Sequence, residues 1–234
     1  MVGLHLHIGS GTDFEHLGQV CGAMVRLVKD VGRDIQAISG GGGLPIPYRG
    51  EEAFDTGALY KLWDQARGEI AETLGHPVHL EIEPGRYLAA ESGALIAQVR
   101  AVKNVAGRRF MMVDAGFDNL VRPAMYGSYH RISVHAPDGS ERTAGVEPTV
   151  VAGPLCESGD VFTQEEGGVV VPRDLPGAEV GDLVVFHDAG AYASSMASNY
   201  NSRPLAAEVI LDDNGAHLAR RRQSVADLLD LEAV

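Results

Sequence analysis

Asp34-Ile35-Gln36-Ala37-Ile38-Ser39 runs directly into Gly40-Gly41-Gly42-Gly43, and this junction decides how the first part of the chain folds. The run up to Ser39 has strand character, and four glycines then release the backbone from any regular element. Upstream, Leu4, Leu6 and Ile8 alternate with His5 and His7, a short strand that ends at Gly9-Ser10. Between these strands, Phe14, Leu17, Val20 with Cys21, Met24 and Leu27 with Val28 recur at helical spacing as far as Gly32. Downstream, Pro45 and Pro47 mark a loop and a helix is predicted over 56–74. A third strand over 79–82 then delivers Glu83-Pro84-Gly85-Arg86 at its end. Strand, helix, strand, helix, strand, with polar and glycine-rich segments at the C-terminal strand ends, is the grammar of a (β/α) barrel. Three strands do not close a barrel, so residues 1–92 read as the C-terminal part of a (β/α)8 barrel.

From Gly93 the pattern changes. Runs at 94–105, 109–113, 131–135, 150–152, 169–171, 183–187 and 206–211 are β-rich and split by Gly, Pro and Asp turns. This spacing predicts an antiparallel, sandwich or barrel-like β-domain over 93–234, closed by a helix over 224–231. The fold class is thus α/β followed by all-β.

With 45% hydrophobic and 22% charged residues, the 234-residue chain falls among soluble globular proteins that bury a substantial core. A formal net charge of -13 argues against a nucleic-acid partner, which needs clustered cations. Arg220-Arg221-Arg222 is a local exception and reads as a solvated strand end. Cys21 and Cys156 do not form a disulfide framework, so free thiols in a cytoplasmic setting are expected, with Cys21 a small core residue. No apolar run approaches the roughly 18 residues of a membrane span, and residues 1–10 lack the layout of a signal peptide. The core opens almost at Met1, which reads as a truncation. No metal is expected.

The segment with the most chemistry is Gly153-Pro154-Leu155-Cys156-Glu157-Ser158-Gly159-Asp160, a thiol beside a carboxylate in a turn bounded by Pro and Gly. Such turns present reactive groups to a cleft. Four glycines after a strand let backbone N–H groups converge on an anion, although a glycine run alone is more often just a flexible loop. Glu83 alone reads as a turn residue, and Arg122 and Tyr126 alone as surface residues.

Taken together, in order and spacing, these segments resemble the C-terminal half of the diaminopimelate decarboxylases, fold-type III pyridoxal-phosphate enzymes of lysine biosynthesis. The set comprises His5-Leu6-His7-Ile8-Gly9-Ser10, the glycine run, Glu83-Pro84-Gly85-Arg86, and Asp114-Ala115-Gly116 leading to Arg122-Pro123 and Tyr126. It is completed by the Cys156 turn and Gly190-Ala191-Tyr192. The resemblance implies that Ser10, Gly41, Gly42 and Gly43 hold the phosphate of pyridoxal 5'-phosphate. It implies that His7 stacks on the ring as a catalytic residue, and that Glu83, in its Pro84-Gly85 turn, keeps the ring nitrogen protonated. Arg86 would serve the phosphate and the substrate carboxylate, with Tyr192 reaching the phosphate region and also contacting the substrate. Arg122 and Tyr126 would grip the distal end of meso-diaminopimelate, whose ammonium Glu157 accepts. Cys156 would return a proton to Cα after carbon dioxide leaves. Related ornithine decarboxylases carry Cys-Asp where this chain has Cys156-Glu157. A homodimer whose sites share this turn is implied. His5 is read as structural and Glu81 as a surface residue.

Two departures stand out. Asp118-Asn119 inverts a loop that often reads Asn-Asp. The Schiff-base lysine of the family is absent: Lys29 and Lys61 lie in helical patterns, and Lys103 lies in the β-rich half. The chain is therefore expected to be inactive alone, as a truncated polypeptide or one half of a split decarboxylase. The alternative is a non-catalytic regulatory relative.

Overall fold

Residues 2–10, 13–31, 34–230 and 232 are described by the computed structural model, which divides into two units, Met1–Ala90 and Glu91–Val234. The expected helix ends at Gly32 and Leu231, and the opening at Met1, lie outside the described residues.

In the first unit three short strands, β1 (Gly3–His5), β2 (Ala37–Ser39) and β3 (His79–Glu81), form a parallel sheet in that order. The register aligns His5 with Ser39 and Ser39 with Glu81, so all three strands end in one row. Helix α1 (Phe14–Val31) connects the first pair and α2 (Thr56–Leu74) the second. Parallel neighbours need such crossovers. Helix α1 buries Leu17, Cys21, Met24, Val25 and Val28, a single stripe at helical spacing. Helix α2 buries Leu59, Trp63, Ala66 and Ile70 in the same way. Its ends are written locally: Asp55 accepts the Ala58 N–H at 2.9 Å, and Gly75, at φ 76°, closes the last turn on the Ala71 carbonyl. Ile35, Ile38, Met24, Trp63 and Ile70 meet in one core cluster. Each large apolar side chain fully buried there contributes roughly 1.5–3 kcal/mol. Strand β1 stops at His5, short of the expected Ile8, although Leu6 N–H still donates to the Ser39 carbonyl, and Gly9 beyond it holds φ at 106°. A short helix, α3 (Gly85–Ala89), follows β3 and has no counterpart in the sequence pattern.

The second unit is built on a six-stranded sheet. In chain order its strands are β4 (Leu95–Val105), β5 (Arg108–Val113), β6 (Ile132–His135), β7 (Glu147–Ala152), β10 (Arg173–Leu175) and β11 (Leu183–Phe186). Their spatial order is β10-β7-β5-β4-β11-β6. The edges β10 and β6 approach each other, so the sheet curls towards closure. Two small antiparallel pairs accompany it, β8 (Gln164–Glu165) with β9 (Val169–Val170), and β12 (Glu208–Asp212) with β13 (Gly215–Arg220). Helices α4 (Arg122–Tyr126) and α5 (Val225–Leu229) complete the unit. Alternate residues of the sheet, among them Val99, Met111, Val113, Val151, Val184 and Phe186, form the core.

The antiparallel expectation needs correction, because β5 and β7 pair in parallel and the sheet is mixed. The connection from β5 travels to the far edge, forms β6 there, and returns before β7 begins. Strand direction follows this long path and leaves no local sign in the composition of β7. Strands β8, β10 and β13 and helix α4 likewise lie outside the runs expected from sequence. The arginine run ends a strand as expected: Arg220 closes β13 and pairs with Glu208, and Arg221 pairs with Asp227.

Candidate active site

The shared row of strand ends in the first unit gathers most of the residues singled out there. Past their ends the three strands remain tied to one another: Leu6 N–H donates to the Ser39 carbonyl, Gly40 N–H to Glu81, and Glu83 N–H to Gly41. The glycine run is threaded between these strands so closely that side chains are excluded. A Cβ at Gly41 would overlap the Leu6 carbonyl, one at Gly42 the Glu83 carbonyl, and one at Gly43 the Gly9 carbonyl. Gly41 and Gly43 also hold φ of 67° and 94°, the left-handed region. Ser10 lies beside Gly43.

Besides that of Gly40, two more N–H groups of the run are used inside the protein. Gly41 donates to Ser39 Oγ at 3.2 Å and Gly42 to His7 Nδ1 at 3.0 Å. Gly43 N–H takes no partner among the described residues. Glu83 Oε1 receives His5 Nε2 at 3.0 Å and Ser39 Oγ at 3.4 Å, while Oε2 has no partner among the described residues. His5, read from sequence as structural, is thus the residue that engages Glu83. It lies two residues before His7, and the alternation of Leu4, Leu6 and Ile8 with His5 and His7 is the signal in the sequence that pairs the two histidines. Pro84 precedes α3, Gly85 begins it, and Arg86 places its guanidinium 6.0 Å from the centre of the Tyr48 ring.

In the second unit, Arg122 opens α4 and is 5% exposed. Its guanidinium carbon lies 5.6 Å from the centre of the Tyr192 ring, a cation–π arrangement that brings these two expected residues together. Tyr192 holds φ at 62°, a left-handed conformation unusual for an aromatic residue. Tyr126 stands at the other end of α4 and is more than half exposed.

The turn after β7 exposes both Cys156 and Glu157. Glu157 Oε1 accepts Gly159 N–H and Ser158 Oγ–H, each at 3.2 Å, and Oε2 accepts the Tyr200 hydroxyl at 3.5 Å. These bonds, the Gly159 N–H foremost, hold its carboxyl below the usual range and keep it anionic. Cys21 contrasts sharply, because burial pushes its thiol up to about 11.

Tyr200 and Arg203 contact these segments and are not singled out by sequence reasoning. Arg203 Nε meets Asp118 Oδ2 at 3.1 Å, and its terminal nitrogen donates to the Asp114 carbonyl at 2.7 Å. These partners lie 43 and more residues apart in sequence, so no spacing rule joins them.

Comparison with known proteins defines the class. The sequence model of the pyridoxal-dependent decarboxylase C-terminal sheet domain matches residues 17–190, and the chain belongs to this family. Within it, the diaminopimelate decarboxylase of Escherichia coli K12 is 62% identical over 234 residues, which make up 99% of this chain and 56% of that protein. The chain thus spans about half the length of the curated relatives it matches. A crystal structure of a diaminopimelate decarboxylase matches with a TM-score of 0.94 at 62% identity, covering 98% of this chain and 55% of that one. Diaminopimelate decarboxylase from Helicobacter pylori complexed with L-lysine matches with a TM-score of 0.80 at 35% identity, covering 98% and 54%.

Proposed function

We propose that this chain supplies the C-terminal portion of a diaminopimelate decarboxylase, which releases carbon dioxide from meso-diaminopimelate and leaves L-lysine. The observation that carries the proposal is the exposed Cys156 thiol beside an anionic Glu157 in a chain of this family. The lysine-bound relative supports the product assignment.

The first unit also fits pyridoxal phosphate. The three glycines leave no room for side chains at the strand ends, the Gly43 N–H and Ser10 hydroxyl are donors for a phosphate, and Arg86 adds a cation. Glu83 offers Oε2 as an acceptor for a ring N–H, since His5 and Ser39 occupy Oε1. The bond from Gly42 fixes the plane of the His7 ring. When bound, the cofactor supplies an electron sink for the carbanion left after loss of carbon dioxide. The residues of the chain then divide the remaining work. Glu157 accepts the distal ammonium, Arg122 and Tyr126 hold the distal carboxylate end, Tyr192 and Arg86 serve the cofactor side, and the Cys156 thiol gives its proton to Cα.

Lys29 lies on α1 and Lys61 on α2, within the helices of the first unit and not in the segments that follow its strands, and Lys103 lies on β4 of the second unit. The proposal therefore has the cofactor-binding lysine come from a segment outside this sequence, with the chain inactive by itself. It also includes a homodimer in which the exposed Cys156 turn serves the partner's site. The (β/α)8 character of residues 1–92 belongs to the same proposal.

The test is lysine formation from meso-diaminopimelate with pyridoxal phosphate, for this chain alone and mixed with the lysine-bearing half of the E. coli relative. Activity is expected only in the mixture. Cys156→Ala should slow turnover far more than it weakens cofactor binding, whereas Glu157→Ala should chiefly raise KM. Activity of the chain alone, or Cys156→Ala turning over at the parental rate, would sink the proposal.

A further inference from the structure

The turn bearing Cys156 and Glu157 leaves the sheet at Ala152, the last residue of β7, and one carboxylate holds it. Asp160 is 3% exposed. Its Oδ2 accepts the Leu155 N–H at 2.8 Å, and its Oδ1 accepts the Phe117 N–H at 2.8 Å. Each oxygen thus grips a different loop. One is the thiol turn, held at the residue directly before Cys156, and the other is the loop that leads from β5 to Arg122. Backbone bonds complete the turn, from Gly153 N–H to the Asp160 carbonyl at 2.9 Å and from Asp160 N–H to the Glu157 carbonyl at 3.1 Å.

Two glycines make room for this carboxylate. A Cβ at Gly116 would lie 2.9 Å from Oδ2 and 3.0 Å from Oδ1, and one at Gly153 would overlap the carboxyl group. Burial raises the pKa of Asp160, and the bonds from Leu155 and Phe117 oppose that shift. A buried carboxylate is tolerated when both oxygens are hydrogen-bonded, as they are here. Asparagine in its place would offer a single acceptor oxygen.

We infer that Asp160 is a positioning residue, whose carboxylate clamps the Cys156–Glu157 turn to the Phe117 loop and thereby fixes where the thiol and the Glu157 carboxylate stand. Its functional meaning rests on the reading of Cys156 and Glu157 as site residues, but the clamp is tested without that reading.

The first measurement is amide hydrogen exchange on the unaltered chain. Leu155 and Phe117 should exchange about 100-fold more slowly than Cys156 and Glu157, relative to their intrinsic rates. The second uses a nitroxide on Cys156, since Cys21 is buried. In Asp160→Asn the nitroxide spectrum should sharpen, and either Leu155 or Phe117 should lose about tenfold or more of its protection, well below the melting temperature. A purely structural Asp160 would lower the melting temperature and leave both signals unchanged in the folded state. Unchanged signals in folded Asp160→Asn would overturn the inference. Should that variant not fold, exchange of Leu155 and Phe117 as fast as Cys156 in the unaltered chain would overturn it alone. Full activity of Cys156→Ala alongside a protected Leu155 and Phe117 would instead remove the proposed chemistry and leave the clamp standing.

Discussion

Arg203→Met should destabilise the second unit more than any ordinary surface substitution, and the structure sets the scale. Asp118 is 1% exposed; its Oδ1 has no hydrogen-bond partner among the described residues, and its Oδ2 is met by Arg203 Nε at 3.1 Å. Removing the guanidinium strands a buried charge, which costs about 3–5 kcal/mol when the pair is fully enclosed. The Arg203 side chain is 35% exposed, so water reaches its end of the pair and the lower figure applies. The lost bond to the Asp114 carbonyl falls within the same estimate. A net loss of ~3 kcal/mol corresponds to a fall of ~10 °C in the melting temperature for a unit of this size. Scanning calorimetry reads the shift, and fluorescence of Trp63, the single tryptophan, follows the first unit separately. The double variant Asp118→Asn, Arg203→Met no longer strands a charge and should recover about half of the loss. A single-variant effect below ~1 kcal/mol, or a double variant worse than Arg203→Met, would refute the argument.

Other consequences follow from burial and backbone geometry. His130 is 1% exposed, and burial pushes its pKa down to about 4. Its folded pKa lies below the unfolded value, so the unfolded chain binds the extra proton and stability falls as pH drops from about 6.5 to about 4, by about 3 kcal/mol. Urea melts across that range should show the slope for the parent and a weaker one for His130→Gln; equal slopes would exclude His130 as the source. At pH 8 a thiol reagent should titrate Cys156 rapidly and Cys21 only after denaturation, because the Cys21 pKa is about 11; two fast thiols in the native chain would contradict its burial. Gly43→Ala places a Cβ against the Gly9 carbonyl at a φ of 94° and should cost roughly 1–3 kcal/mol, read from Trp63 fluorescence during denaturation. An unchanged midpoint would mean that the strand ends have room for a side chain at Gly43.

What the linear sequence determined by itself is what depends on near neighbours. Helix α2 begins and ends where Asp55 and Gly75 dictate, and its buried stripe repeats at 3.6-residue spacing, so its limits are legible in the chain itself. The order of the glycine run, Glu83, Arg122, Cys156 with Glu157, and Tyr192 is equally plain, because chemical identity and spacing are properties of the chain. The tertiary structure alone decided the parallel pairing of β5 with β7, the engagement of Glu83 by His5, and the contact of Arg203 with Asp118. It also decided that Asp160 joins two loops. Each of these pairings brings together groups far apart in sequence. Which partner a buried carboxylate or strand edge finds depends on the path of the intervening chain and on the desolvation cost of leaving it unsatisfied. No local pattern records either quantity.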